Sequence, residues 1–177
     1  MRWNSCLLIA GAVLGFGCIV IQGQRPQQEQ THFSAEDEAV KHPVTVPDEV
    51  LGILRRDRLV QNVLKGESIA PEKLLTTWFS ASEITLGGPG EKDLIVEAEE
   101  LLRGANIDTF WVFIDTDHGY ELALTIPVHD LIVKSARTNG YRDLEALAAT
   151  AVTVTTASFR FDGHEYKLFS SKTEDIK

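Results

Sequence analysis

Histidines and carboxylates are the side chains in this sequence whose types could do metal or acid–base chemistry. Three of the five histidines, His118, His129 and His164, could supply imidazole nitrogens to a zinc ion. No two histidines stand at i, i+4, and His32 and His42 fall in or beside a polar stretch, so solvated turn positions are expected for His118 and His164. His129 and Asp130 are adjacent, and neighbours on a strand point to opposite faces, so they make no base–orienter couple. Asp115, Asp117 and Glu121 are the densest carboxylates of the C-terminal half. Asp115 to Gly119 opens like a calcium loop, but Ile126 stands where the closing Glu belongs, so a hydrated hairpin tip is expected. Both cysteines, Cys6 and Cys18, lie in an apolar N-terminal run, leaving the rest of the chain without a thiol for a disulfide, a zinc site or a nucleophile. No Gly-x-Ser-x-Gly elbow, phosphate loop or dinucleotide fingerprint occurs. The pattern predicts no catalytic residue, no cofactor and no metal.

The 177 residues are 44% hydrophobic with a mean hydropathy of -0.06, enough for one sizeable core. A net charge of -9 and a pI near 5.0 repel phosphate backbones, and no basic run interleaved with aromatics offsets this. Nucleic acid is therefore not an expected partner.

Residues 6–21 are an apolar run preceded by Arg2 and followed by Gln22, Gly23 and Gln24. Residues 1–23 read as a secretory signal, or alternatively as an uncleaved anchor, which ordinarily needs about 20 apolar residues. Lipidation at Cys18 is disfavoured by bulky Phe16. Export to the periplasm or the extracellular space follows, with membrane contact only through this leader. Residues 24–44 are rich in Gln, Glu and other polar types and read as a flexible tether.

Residues 45–177 read as one β-rich domain opened by two helices. Thr45 to Asp48 has capping-box spacing, and Val50, Ile53, Leu54, Val60 and Leu64 recur at helical spacing until Gly66, with Asp57 falling on the stripe. A second helix is expected from Pro71, with Leu74, Leu75, Trp78 and Phe79 on one face. Strands are expected at 94–96, 110–113, 120–126 (ended by Pro127) and 131–133. Val152 and Val154 differ in parity from Phe159 and Phe161, which predicts a bulge at 155–157. Asp162 and Gly163 turn the chain into a strand over 166–169. Residues 144–149 (LEALAA) are helix-compatible by propensity and could be helix or strand.

Self-similarity adds one more reading. Leu86 to Leu94 aligns with Ala136 to Leu144 at an offset of about 50 residues, each copy carrying a Gly, then a basic residue, then Asp-Leu. Trp111 to Phe113 then matches Phe159 to Phe161, and Tyr120 matches Tyr166. The expected fold is thus mainly β (α+β): two N-terminal helices on an antiparallel domain built of two related units, 83–130 and 131–170. These motifs resemble degenerate FG-GAP or VCBS-type repeats, and the stretch from Trp78 to Tyr166 resembles a group of uncharacterised secreted bacterial proteins. In the parent repeats loop aspartates bind calcium. Carried over by position, the first copy offers Thr85, Gly87, Pro89 and Asp93, and the second Ser135, Arg137, Asn139 and Asp143. An arginine inside a cation site, with so few carboxylates, implies loops that kept their shape and lost the metal. Asn139, Gly140 and Gly90 then supply left-handed turn positions, while Asp93 and Asp143 are expected to accept loop amides. The functional expectation is an exported, non-enzymatic module binding a protein, peptidoglycan or glycan partner. The alternative is a structural or assembly component that dimerises through its sheet, and a hydrolase ranks behind both.

Overall fold

Alternating apolar residues dominate the chain after residue 78, and they form two antiparallel five-stranded sheets stacked beneath a layer of two short helices. The computed structural model describes residues 29–176 apart from Ala39 and Pro89. The expected leader, both cysteines and the first residues of the expected tether lie outside that range. In chain order the elements are β1 (His32–Ser34), β2 (Pro43–Val44), α1 (Asp48–Leu54), α2 (Arg58–Gly66), β3 (Phe79–Ile84), β4 (Asp93–Ala98), β5 (Asp108–Thr116), β6 (Gly119–Val128), β7 (Asp130–Thr138), β8 (Tyr141–Ala149), β9 (Thr153–Phe161) and β10 (Tyr166–Asp175). The first sheet runs β2-β3-β4-β5-β6 and the second β1-β7-β8-β9-β10. Among the described residues no helix is long and apolar enough to cross a membrane.

Side-chain alternation builds two cores from one sheet. Ile95, Phe110, Val112 and Ile114 of the first sheet face Leu131, Val133, Leu144, Ala146, Phe159 and Phe161 of the second. On its other face, Phe79, Ala81, Leu94, Val96, Trp111 and Phe113 meet Val50, Leu51, Leu54, Val60 and Leu64 of the helices. Strand β4 is consequently buried at every position, as expected of a strand covered on both sides. Among the described residues no further layer packs on the outer face of the second sheet.

The helical region differs from the sequence reading. The expected single helix to Gly66 is two helices, because Asp57 leaves the stripe: its Oδ1 accepts the amides of Leu59 (2.8 Å) and Val60 (3.2 Å) and caps α2. No capping box forms at Thr45, and Pro47 occupies the N-cap of α1 without a side-chain bond. The expected second helix is absent. Pro71–Lys73 and Thr76–Trp78 are isolated 3-10 turns, Leu75 is exposed, and Phe79 begins β3. Two adjacent threonines weaken a helix there, while the ladder of β3 with β4 satisfies the backbone.

Four further expectations change. Residues 29–44 are no tether: β1 and β2 extend the two sheets, and Phe33 and Val40 are buried. Glu29 pins the start of this arm to both halves, accepting from the Thr85 amide (2.6 Å) and from Arg142 Nη1 (2.6 Å). Residues 144–149 are strand, paired with β9 throughout and with β7 over 144–147, so tertiary pairing overrides their helical propensity. Strand β6 passes through Pro127 to Val128, which an edge strand tolerates because its outward side needs no donor. Strand β9 runs unbroken against β8, and the bulge lies on its other neighbour, at Phe169 of β10. Val152 needs no core position because it is exposed.

Candidate functional site

The carboxyls with the most strongly raised pKa values sit where β4 and β5 meet the N-terminal arm. Asp93, Ile95 and Glu97 share the face of β4 turned towards the second sheet, and Asp108 opens β5 on that same face. Glu97 and Asp108 are 1% and 0% exposed. Burial, then the neighbouring charges of Asp108 and Glu99, push Glu97 up to about 8, against the pull of Arg103. Asp108 rises to about 6, again by burial first, while the Thr109 amide (2.8 Å) and Arg103 hold it down. Glu97 Oε1 and Asp108 Oδ2 each lack a hydrogen-bond partner. Burial and mutual repulsion thus favour holding a proton on this pair near neutral pH, Glu97 being the more strongly raised of the two.

Arg103 supplies the counter-charge and ties down the N-terminal arm. Its Nε lies 3.5 Å from Asp108 Oδ2 and its Nη1 3.3 Å from Glu99 Oε2. The same guanidinium donates to the carbonyls of Ala35 (3.1 Å), Glu38 (3.1 Å) and Asp37, fastening the arm over the acids. Reaching either carboxyl from solvent would require the arm to lift. Composition did not single out these residues, although the shared parity of Asp93, Ile95 and Glu97 on an apolar strand marks two acids on a core face.

The residues singled out by sequence are dispersed. Asp93, fully buried, accepts the amides of Leu86 (2.8 Å), Gly87 (3.2 Å) and Asp115 (2.9 Å), tying the loop after β3 to β5. Burial raises its pKa, and those three amides oppose the rise. Asp143 does not repeat this role. It lies inside β8 and faces Arg160 at 3.6 Å, with no loop amide in reach. Asn139 and Gly140 form the β7–β8 turn at φ 52° and 88°, and Asn139 Nδ2 donates to the Phe161 carbonyl (2.8 Å). Gly90 also takes a positive φ of 95°.

Among the described residues, no three His, Asp or Glu side chains stand close enough to hold a metal ion. His118 and His164 are exposed at the β5–β6 and β9–β10 tips. His129 Nδ1 accepts the Ala149 amide (3.1 Å), and His32 meets Asp130 at 3.1 Å. Asp115 and Asp117 line an open cleft with Glu91 and Tyr141.

The other distinctive surface is the far edge of the second sheet. Strand β10 is ten residues long, and every residue after Tyr166 is exposed. Among the described residues it pairs with β9 alone, so its other side carries main-chain groups with no partner among them. Leu168 and Phe169 are 60% and 58% exposed, with the Arg160 guanidinium 3.3 Å from the Phe169 ring centroid. The open edge of the first sheet is less receptive, since β6 carries Pro127 and lies beside α1. No protein-family model, no curated protein and no solved structure matches this chain.

Proposed function

We propose that this chain is an exported, non-enzymatic interaction module that binds through the open edge of its second sheet. The observation that carries this reading is β10, a ten-residue strand with one free side and two exposed apolar side chains. Such an edge takes up an extended segment by main-chain hydrogen bonding, and the apolar side chains add affinity. The perturbed acids support a structural rather than catalytic role, because Arg103 and the arm cover them. The apolar N-terminal run supports export. Two related units are also in keeping with the topology: each sheet is a four-stranded meander whose first strand, β3 or β7, receives one short strand from the arm. The differing roles of Asp93 and Asp143 confine that kinship to the strand plan.

A photo-crosslinking residue at Phe169 of the full chain, expressed in cells, tests the binding surface. Covalent adducts are expected from position 169 and not from Leu75, which is equally exposed on the helical side. No adduct from 169, with or without adducts from Leu75, overturns the proposal.

A further inference from the structure

The alternation of hydrogen bonding along β9 and β10 shows which main-chain groups of the edge point outward. In an antiparallel ladder, pairs that exchange hydrogen bonds alternate with pairs that do not. Ile176 donates to the Val152 carbonyl (2.8 Å) and Asp162 to the Glu165 carbonyl (3.0 Å), which sets the phase from both ends. Stepping inward along the register, Asp175, Thr173 and Ser171 are non-bonded partners of β9, as are Tyr166 and Leu168 on the far side of the bulge. The N–H and C=O groups of these five residues therefore face the open side.

We propose that the occupant of this edge is a second copy of the same chain, paired antiparallel to β10 about a two-fold axis at Ser171. This inference rests on the edge-binding reading above. A two-fold axis normal to the sheet requires one residue to oppose itself, and isologous pairing then repeats every contact twice. With Ser171 opposite the partner's Ser171, the outward-facing residues match throughout: Leu168 meets the partner's Thr173, and Tyr166 meets the partner's Asp175.

The bulge at Phe169 makes this register work. Lys167 and Glu174 are separated by an odd number of positions and would lie on opposite faces of a regular strand. Their partners on unbroken β9 are Arg160 and Val154, which share a face, so the bulge brings Lys167 and Glu174 to the same side. Across the two-fold axis Lys167 then stands opposite the partner's Glu174, twice, and Ser170 opposite the partner's Lys172. An axis at Thr173 would also oppose Lys172 to the partner's Glu174. It would leave Tyr166 and Leu168 unpaired, whereas the axis at Ser171 uses the strand from end to end and covers exposed Leu168. The product is one continuous ten-stranded sheet with the helices on its far layers.

Charge reversal tests the register, with association of the full chain followed by sedimentation velocity in detergent micelles. The wild type is expected to be dimeric. Lys167→Glu and Glu174→Lys each place like charges opposite one another and should weaken dimerisation at least tenfold. The double variant Lys167→Glu/Glu174→Lys restores opposite charges and should recover it. A second readout uses Ser171→Cys in a Cys6→Ser/Cys18→Ser background, where the self-opposed thiols should form an intermolecular disulfide and a thiol at Val152 should not. A monomeric wild type, single reversals without effect, or equal disulfide formation at 152 and 171 overturns the proposal. If the chain is monomeric while position 169 still crosslinks another polypeptide, the second copy is wrong and the edge-binding reading survives; no crosslink from 169 removes both.

Discussion

Replacing Glu97 by glutamine removes the carboxyl proton that the fold holds furthest above its ordinary range, and the consequence depends on pH in a defined direction. The folded state binds that proton more tightly than the unfolded chain, because Glu97 is pushed from an ordinary 4.5 up to about 8. Stability is therefore unaffected below about pH 4.5, falls as the pH rises towards 8, and levels off above it. Asp108, raised from 3.8 to about 6, adds a fall of the same sign over a lower window. The full gap at Glu97 corresponds to roughly 5 kcal/mol at complete ionisation. Only the part above pH 6 falls between pH 6 and 9, so the loss there should be at most about 2–3 kcal/mol, and water entering beneath the arm reduces it further. Glutamine keeps the shape and the donor of the protonated acid but cannot ionise. Urea unfolding at half-unit steps from pH 5.5 to 9 should show the variant close to wild type at the acid end and more stable at the alkaline end. Parallel curves across that range, or a variant weaker at every pH, would refute the buried-proton argument.

Further outcomes follow from single bonds. Asp93→Ala strands three amides and should lower stability by about 2–3 kcal/mol in urea titration, whereas Asp143→Ala, losing one long ion pair, should cost under about 1 kcal/mol. Asp57→Ala uncaps α2 and should cost about 1 kcal/mol, while Thr45→Ala, with no cap to lose, should stay within about 0.5 kcal/mol by the same titration. Millimolar calcium should leave the Tm within about a degree of its chelated value, since the loop aspartates do not converge; a larger upward shift in a thermal melt would contradict that.

Much of the β architecture was legible because its determinants are local. The aromatic run at 110–113, alternation over 120–126, and turn residues at Asn139-Gly140 and Asp162-Gly163 encode hairpins whose strands lie next to one another in sequence. The helical layer was less legible. Asp57 reads equally well as a flaw in a long apolar stripe or as a cap, and only the backbone conformation at that residue separates the two.

Sequence alone determined the strand-rich composition, the turns, the acidic charge and the confinement of cysteine to residues 6 and 18. Tertiary structure decided everything that depends on partners distant in the chain. LEALAA became strand because β7 and β9 supply ladders on both sides, and those bonds outweigh a helical preference of a few tenths of a kcal/mol per residue. The polar arm became part of the fold because its few apolar residues, Phe33 and Val40, find the gap between the sheets. Glu97 looks like any strand glutamate until the arm and Arg103 cover it, and β10 looks like any strand until the topology leaves it last in its sheet. Burial and edge position are properties of the assembled layers, set by long-range contacts that no local window of residues contains.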